Sequence, residues 1–180
     1  MYNVTYNTLR IEGIALHRIA QFYSVSREQF EKDWAAAFPG SAVPEEIRLP
    51  RRATAGSAGY DFFAPAGFTL NPGETILLPT GVRARMDEGW VLMLFPRSGL
   101  GFKYRLQLNN TVGVIDQDYF GAKNEGHIML KLTNDSNEGK SLTVAAGEAV
   151  AQGVFLPYGM TMDDETDAVR EGGFGSTDRK

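Results

Sequence analysis

From Leu49 onward, short apolar stretches are cut at near-regular intervals by turn-forming residues, and this punctuation leaves the chain little choice but a β fold. Asn71-Pro72-Gly73, Asp87-Glu88-Gly89, Asn137-Glu138-Gly139 and Ala146-Gly147 all favour tight reversals. Between them, Val82, Ala84 and Met86 alternate with Arg83 and Arg85, and Ile128, Leu130 and Leu132 alternate with Met129, Lys131 and Thr133. A period of two is the mark of a strand with one buried and one wet face. Trp90 to Phe95 is apolar throughout and is expected to be buried on both faces. With 20 Gly and 8 Pro in 180 residues, the pattern predicts an all-β sandwich or barrel of jelly-roll type.

Residues 1–46 read differently. Ser26 to Phe38 carries a helix start signal, with Ser26 as cap, Gln29 completing a capping box, and Val25 and Phe30 forming a staple. Phe30, Trp34, Ala37 and Phe38 fall on one face, which is expected to dock on the β core, and Pro39-Gly40 ends the element. The expected organisation is an extension over 1–46 with one helix at about 26–38, a β domain over 47–160, and a mobile arm over 161–180. Beyond about Pro157 the chain is rich in Asp, Gly and Ser.

The absence of Cys excludes a disulfide scaffold and a thiolate nucleophile, and with only His17 and His127 a histidine-built zinc site is disfavoured. The first residues, Met1-Tyr2-Asn3-Val4-Thr5-Tyr6, lack the basic-then-apolar pattern of a secretory signal. No apolar run approaches the ~20 residues of a membrane helix. A cytoplasmic protein without membrane contact is expected. The net charge of −4 argues against broad nucleic-acid binding. It leaves room for a polyphosphate wherever Arg side chains, backbone N–H groups and a cation converge.

Gly113-Val114-Ile115-Asp116-Gln117-Asp118-Tyr119-Phe120-Gly121, preceded by Asn110, reads as a strand running to a hairpin tip. There Asp116 can polarise a water and Tyr119 can floor a small flat ligand. An isolated segment of this kind is more often a solvated turn. Pro96-Arg97-Ser98-Gly99-Leu100 offers a guanidinium, a hydroxyl and approachable backbone N–H groups where a strand ends, which suits phosphate oxygens as well as it suits an ordinary turn. It is neither a Walker loop nor a nucleophile elbow. Ala58-Gly59-Tyr60-Asp61 and Gly147-Glu148-Ala149-Val150-Ala151-Gln152 are weak alone. Arg170-Glu171-Gly172-Gly173-Phe174-Gly175-Ser176-Thr177 places one ring among glycines, able to close over a nucleotide.

Taken in order, these five elements resemble the trimeric deoxyuridine triphosphate nucleotidohydrolases, over about residues 47 to 178. The resemblance implies a jelly-roll (β-clip) homotrimer with an added N-terminal helix. It further implies Mg²⁺-dependent hydrolysis of dUTP to dUMP and pyrophosphate, which keeps uracil out of DNA and supplies dUMP for thymidylate synthesis. Asp116 would be the general base for a water attacking the α-phosphorus. Arg97, Ser98, Gly99, Gln152, Arg170, Gly175, Ser176 and Thr177 would bind the phosphates. Asn110, Gly113, Val114, Ile115, Tyr119 and Phe174 would bind the nucleoside, and Asp61 would hold Mg²⁺ through water. Sites would be shared between subunits. The chain departs from the family pattern at Phe120, at Ala149, at Asp178 and in the closeness of Arg170 to the glycine pair. Ala122 to Gly126 look inserted and are expected to form a surface excursion. A dCTP deaminase and a catalytically idle nucleotide sensor are the rival readings. The first needs a proton shuttle beside the exocyclic amine, where this chain has Asp-x-Asp-Tyr.

Overall fold

In the computed structural model, which describes residues 8–11, 14–168 and 170, every turn signal falls between two strands. Strands β1 (Thr8–Ile11) and β2 (Ile14–His17) pair with each other, and β3 (Ala20–Ser24) leads into helix α1 (Arg27–Ala37). The body then runs β4 (Arg51–Arg52), β5 (Tyr60–Phe63), β6 (Phe68–Leu70), β7 (Thr75–Pro79), β8 (Val82–Met86) and β9 (Trp90–Pro96). Helix α2 (Ser98–Tyr104) follows, then β10 (Leu106–Leu108), β11 (Gly113–Ile115), a 3₁₀ turn (Gln117–Gly121), β12 (Met129–Asn134), β13 (Leu142–Val144) and β14 (Ala149–Pro157). The fold is predominantly β. Its largest sheet has the order β11-β9-β14-β5-β4, and a second has the order β10-β12-β7. Among the described residues the strands form separate sheets and no closed barrel.

Both sheets feed one hydrophobic cluster, with Phe62, Leu92 and Leu94 from the larger and Leu78, Leu130 and Leu132 from the smaller. The alternations in β8 and β12 are observed as expected, with Val82, Ala84, Met86, Leu130 and Leu132 buried. In β9 the expectation of burial on both faces fails. Only Leu92 and Leu94 are buried, while Val91, Met93 and Phe95 remain half-exposed on the outer face. That face is apolar across three strands, because Met93 lies opposite Val114 of β11 and Val154 of β14.

Helix α1 docks on the body as its apolar stripe requires. Phe30 and Trp34 join the core cluster, and Phe38 packs on Trp34 with ring centroids 4.6 Å apart. Strand β3 ties the extension further by pairing with β8. The start of α1 differs from a full capping box. Ser26 Oγ accepts from the Gln29 N–H at 3.1 Å, but Gln29 turns away to donate to Asp33, and the Ser26 N–H donates instead to Glu125 at 2.7 Å. A distant carboxylate thus takes the role expected of Gln29.

Asp33 of α1 also meets His127, which is fully buried. His127 Nε2 accepts from the Gly81 N–H at 2.7 Å, so the ring proton sits on Nδ1, which donates to Asp33 Oδ2 at 2.5 Å. Burial pushes the His127 pKa down, and this outweighs the neighbouring carboxylates Asp33 and Glu125, which favour the charged ring. The folded-state pKa therefore lies below the unfolded value. As pH falls through about 6.5, the unfolded chain takes up a proton that the folded one refuses, and stability declines. The melting temperature should drop between about pH 7.5 and about pH 5.5. His127→Gln, less stable throughout, should show a flatter slope over that window. Equal slopes for the two proteins would contradict this coupling.

Candidate active site

Gly113 and Ile115 of β11 point into the body while Val114 faces out, as period two demands. The chain then enters the 3₁₀ turn with Asp116 at its N-cap position, where its side chain makes no capping bond and stays about half exposed. Tyr119 in the same turn is buried. The expected hairpin is corrected here, since β11 pairs with β9 rather than with β10 or β12. A strand ending in a single 3₁₀ turn separates the inward phenol from the outward carboxylate.

These elements enclose a cavity of about 400 Å³. Asn110, Gly113, Val114, Ile115 and Tyr119 line it, Leu94, Leu108 and Leu130 supply apolar wall, and Asp116 and Arg170 stand within it. Because β11 is the edge strand of its sheet, one row of its backbone N–H and C=O groups has no strand partner among the described residues. Asn110 sits in a tight connection where Thr111 takes φ +66, a strained value for a β-branched residue that costs about 1–3 kcal/mol.

Arg170 was expected among the phosphate ligands. The structure places it beside Asp116 and Tyr119, donating to Asp118 Oδ1 at 2.8 Å and to Asp116 Oδ2, with its guanidinium 5.7 Å from the centre of the Tyr119 ring. Burial disfavours its charge, but Asp118 and Asp116 outweigh this and raise its pKa.

The other expected phosphate and metal residues assemble elsewhere. Pro96 closes β9, and Arg97-Ser98-Gly99 starts α2 rather than an open turn. Arg97 Nε lies 3.8 Å from Asp61 Oδ1, and Asp61 of β5 is directly opposite Gln152 of β14. Gln152 packs over the bare Cα of Gly59, where a Cβ would come within 2.5 Å of its side-chain oxygen. Ser98 and Gly99 are exposed. None of these residues lines the cavity, so within one chain the two groups are separate. Phe174, Gly175, Ser176 and Thr177, together with Asp178, lie outside the described residues. Among the described residues no three His, Asp or Glu side chains cluster as a metal cage. No described helix is long and apolar enough to cross a membrane.

The surface excursion expected of Ala122 to Gly126 is overturned. Ala122 and Gly126 are buried, Asn124 donates to the Tyr119 hydroxyl at 2.8 Å, and Glu125 holds the start of α1. The polar content of the segment masks this in the sequence, since its bonds run to residues either side of it and across 99 positions to Ser26.

The dUTPase family model matches residues 45–178. A deoxyuridine 5'-triphosphate nucleotidohydrolase of Lactococcus lactis is 43% identical over 134 residues, 73% of this chain and 88% of that protein. The crystal structure of a dUTPase from Streptococcus mutans superposes with a TM-score of 0.59 at 36% identity, covering 78% of this chain and 97% of that one. A mutant dUTPase from phage phi11 of S. aureus, described with a structural Mg(II) ion, shares the fold with a TM-score of 0.58 at 21% identity, covering 83% of this chain and 97% of that one.

Proposed function

The chain belongs to the dUTPase family, and as a dUTP diphosphatase we propose that it uses Asp116 as general base to split dUTP into dUMP and pyrophosphate. One observation carries this reading. An edge strand, with one row of backbone groups free of a strand partner among the described residues, lines a cavity that has a carboxylate at one end and a buried phenol beside it. The β11 backbone and Asn110 would read the polar edge of uracil, in a slot too tight for the ring methyl of thymine. Tyr119 would pack under the sugar and exclude a ribose 2′-hydroxyl. Phe174 would cover the base.

Arg97, Ser98, Gly99 and Gln152, with Arg170, Gly175, Ser176 and Thr177 of the arm, would bind the triphosphate. Asp116 would take a proton from the water that attacks the α-phosphorus in line, and pyrophosphate would leave. Mg²⁺ suits the donor set as an ion carried by the substrate. Asp61 would offer one hard oxygen through a water, and phosphates would supply the rest. When bound, the ion neutralises triphosphate charge. Removing dUTP in the cytoplasm would keep uracil out of DNA and supply dUMP for thymidylate synthesis.

The jelly-roll topology and a homotrimer belong to the same proposal. Val114 and Leu156 are exposed apolar residues on the outer face that also carries Met93 and Val154, and a second subunit would cover it. Asp61 and Gln152 lie opposite each other in the same sheet.

The test is a substrate panel with Mg²⁺. Pyrophosphate should appear rapidly from dUTP and far more slowly from UTP, dTTP and dCTP, and dCTP should yield no ammonia. Ammonia from dCTP would establish the deaminase instead. Tight dUTP binding without pyrophosphate would establish the idle sensor.

A further inference from the structure

We propose that Asn124, in the segment between the 3₁₀ turn and β12, is a positioning residue that sets the sugar preference of the site by fixing the Tyr119 ring. This deepens the proposed function and rests on Tyr119 being the wall against a 2′-hydroxyl.

The Tyr119 hydroxyl has one proton to give and lone pairs to share. It donates to the His127 carbonyl at 2.9 Å and accepts from Asn124 Nδ2 at 2.8 Å. Both bonds come from a single short stretch of chain. A phenyl ring held only by packing can slide or tilt, whereas a phenol bonded in two directions at its far end cannot. Asn124 is not placed there for its own satisfaction. Its Oδ1 is buried and has no partner among the described residues, while its NH₂ donates to the phenol at 2.8 Å and, more weakly, to the His127 carbonyl at 3.4 Å. Burial raises the Tyr119 pKa, and the Asn124 bond works against that rise.

The stretch is itself rigidly held. Gly126 takes φ +69 and comes so near the 3₁₀ turn that a Cβ would lie 2.5 Å from the Tyr119 carbonyl oxygen. Glu125 accepts a left-handed φ of +58, uncommon outside glycine, and its carboxylate is gripped by the Ser26 N–H and hydroxyl at 2.7 and 2.6 Å. His127 is locked between Gly81 and Asp33. Asn124 is therefore presented by a segment fastened to α1 on one side and to the β body on the other.

The experiment measures kcat/KM for dUTP and for UTP in wild type, Asn124→Leu, Tyr119→Phe, the double variant and Tyr119→Ala, with melting curves for each. Asn124→Leu keeps the branching at Cγ and removes the donor. The dUTP-over-UTP preference should fall about tenfold or more in both Asn124→Leu and Tyr119→Phe, the scale of a small misplacement at a reacting site. The double variant should lose no more preference than Tyr119→Phe alone, because that change already removes the bond that Asn124→Leu breaks. A loss of melting temperature alone, with the preference of Asn124→Leu intact while Tyr119→Ala abolishes it, overturns the positioning role and leaves the Tyr119 wall standing. An intact preference in Tyr119→Ala removes the wall and the inference with it. If Asn124→Leu fails to fold, full preference in Tyr119→Phe overturns the proposal.

Discussion

Asp116→Asn is expected to lower the turnover of dUTP by about 10²–10⁴-fold while leaving dUTP binding and the fold largely intact. The side chain is about half exposed and makes no capping bond to the 3₁₀ turn, so little stability rests on it. Surface changes of this kind usually stay within about 0.5 kcal/mol. Arg170 engages Asp116 through Oδ2, and a carboxylate has lone pairs enough to leave Oδ1 for a water. The amide of Asn preserves shape and one acceptor but cannot carry the proton away. Single-turnover rates at saturating dUTP, with binding measured by calorimetry, separate chemistry from affinity. Near-normal turnover would remove Asp116 from the base role.

Mixed trimers are expected to recover activity from two dead parents. Among the described residues the cavity with Asp116 and the group formed by Arg97, Asp61 and Gln152 are separate within one chain, and the apolar outer face of the large sheet is exposed at Val114 and Leu156. Bringing halves together across subunits would satisfy both facts at once. Asp116→Asn chains would be co-refolded with chains ending at Arg170, which keep the Arg170 clamp on Asp116 but lack Phe174. Neither parent should hydrolyse dUTP. In a random mixture, a site that draws its Asp from one chain and its arm from another recovers half times half, about a quarter of wild-type activity. Trimer-sized mixed assemblies without activity would show that the arm closes on its own chain.

Local periodicity and turn chemistry determined much of this protein. The alternations at Val82-Ala84-Met86 and Leu130-Leu132, the turns, and the apolar stripe Phe30-Trp34 of α1 each follow from neighbours a few residues apart, and the structure has them where the sequence puts them. The motifs likewise brought Asn110, Gly113 to Ile115, Asp116 and Tyr119 into view as one group because they are contiguous in the chain.

Tertiary structure alone decided what depends on distant partners. Whether Val91 and Met93 are covered depends on what lies over the sheet, which hydrophobicity along a strand does not encode. The cap of α1 passed from Gln29 to Glu125 because a carboxylate 99 positions away reaches the same N–H. The polar run from Ala122 to Gly126 reads as surface, yet its hydrogen bonds to Tyr119 and Ser26 draw it inward, since such bonds offset the cost of burying polar groups. Arg170 found Asp116 and Asp118, 54 and 52 positions back, through charge, which acts through space and leaves no periodic trace in the chain.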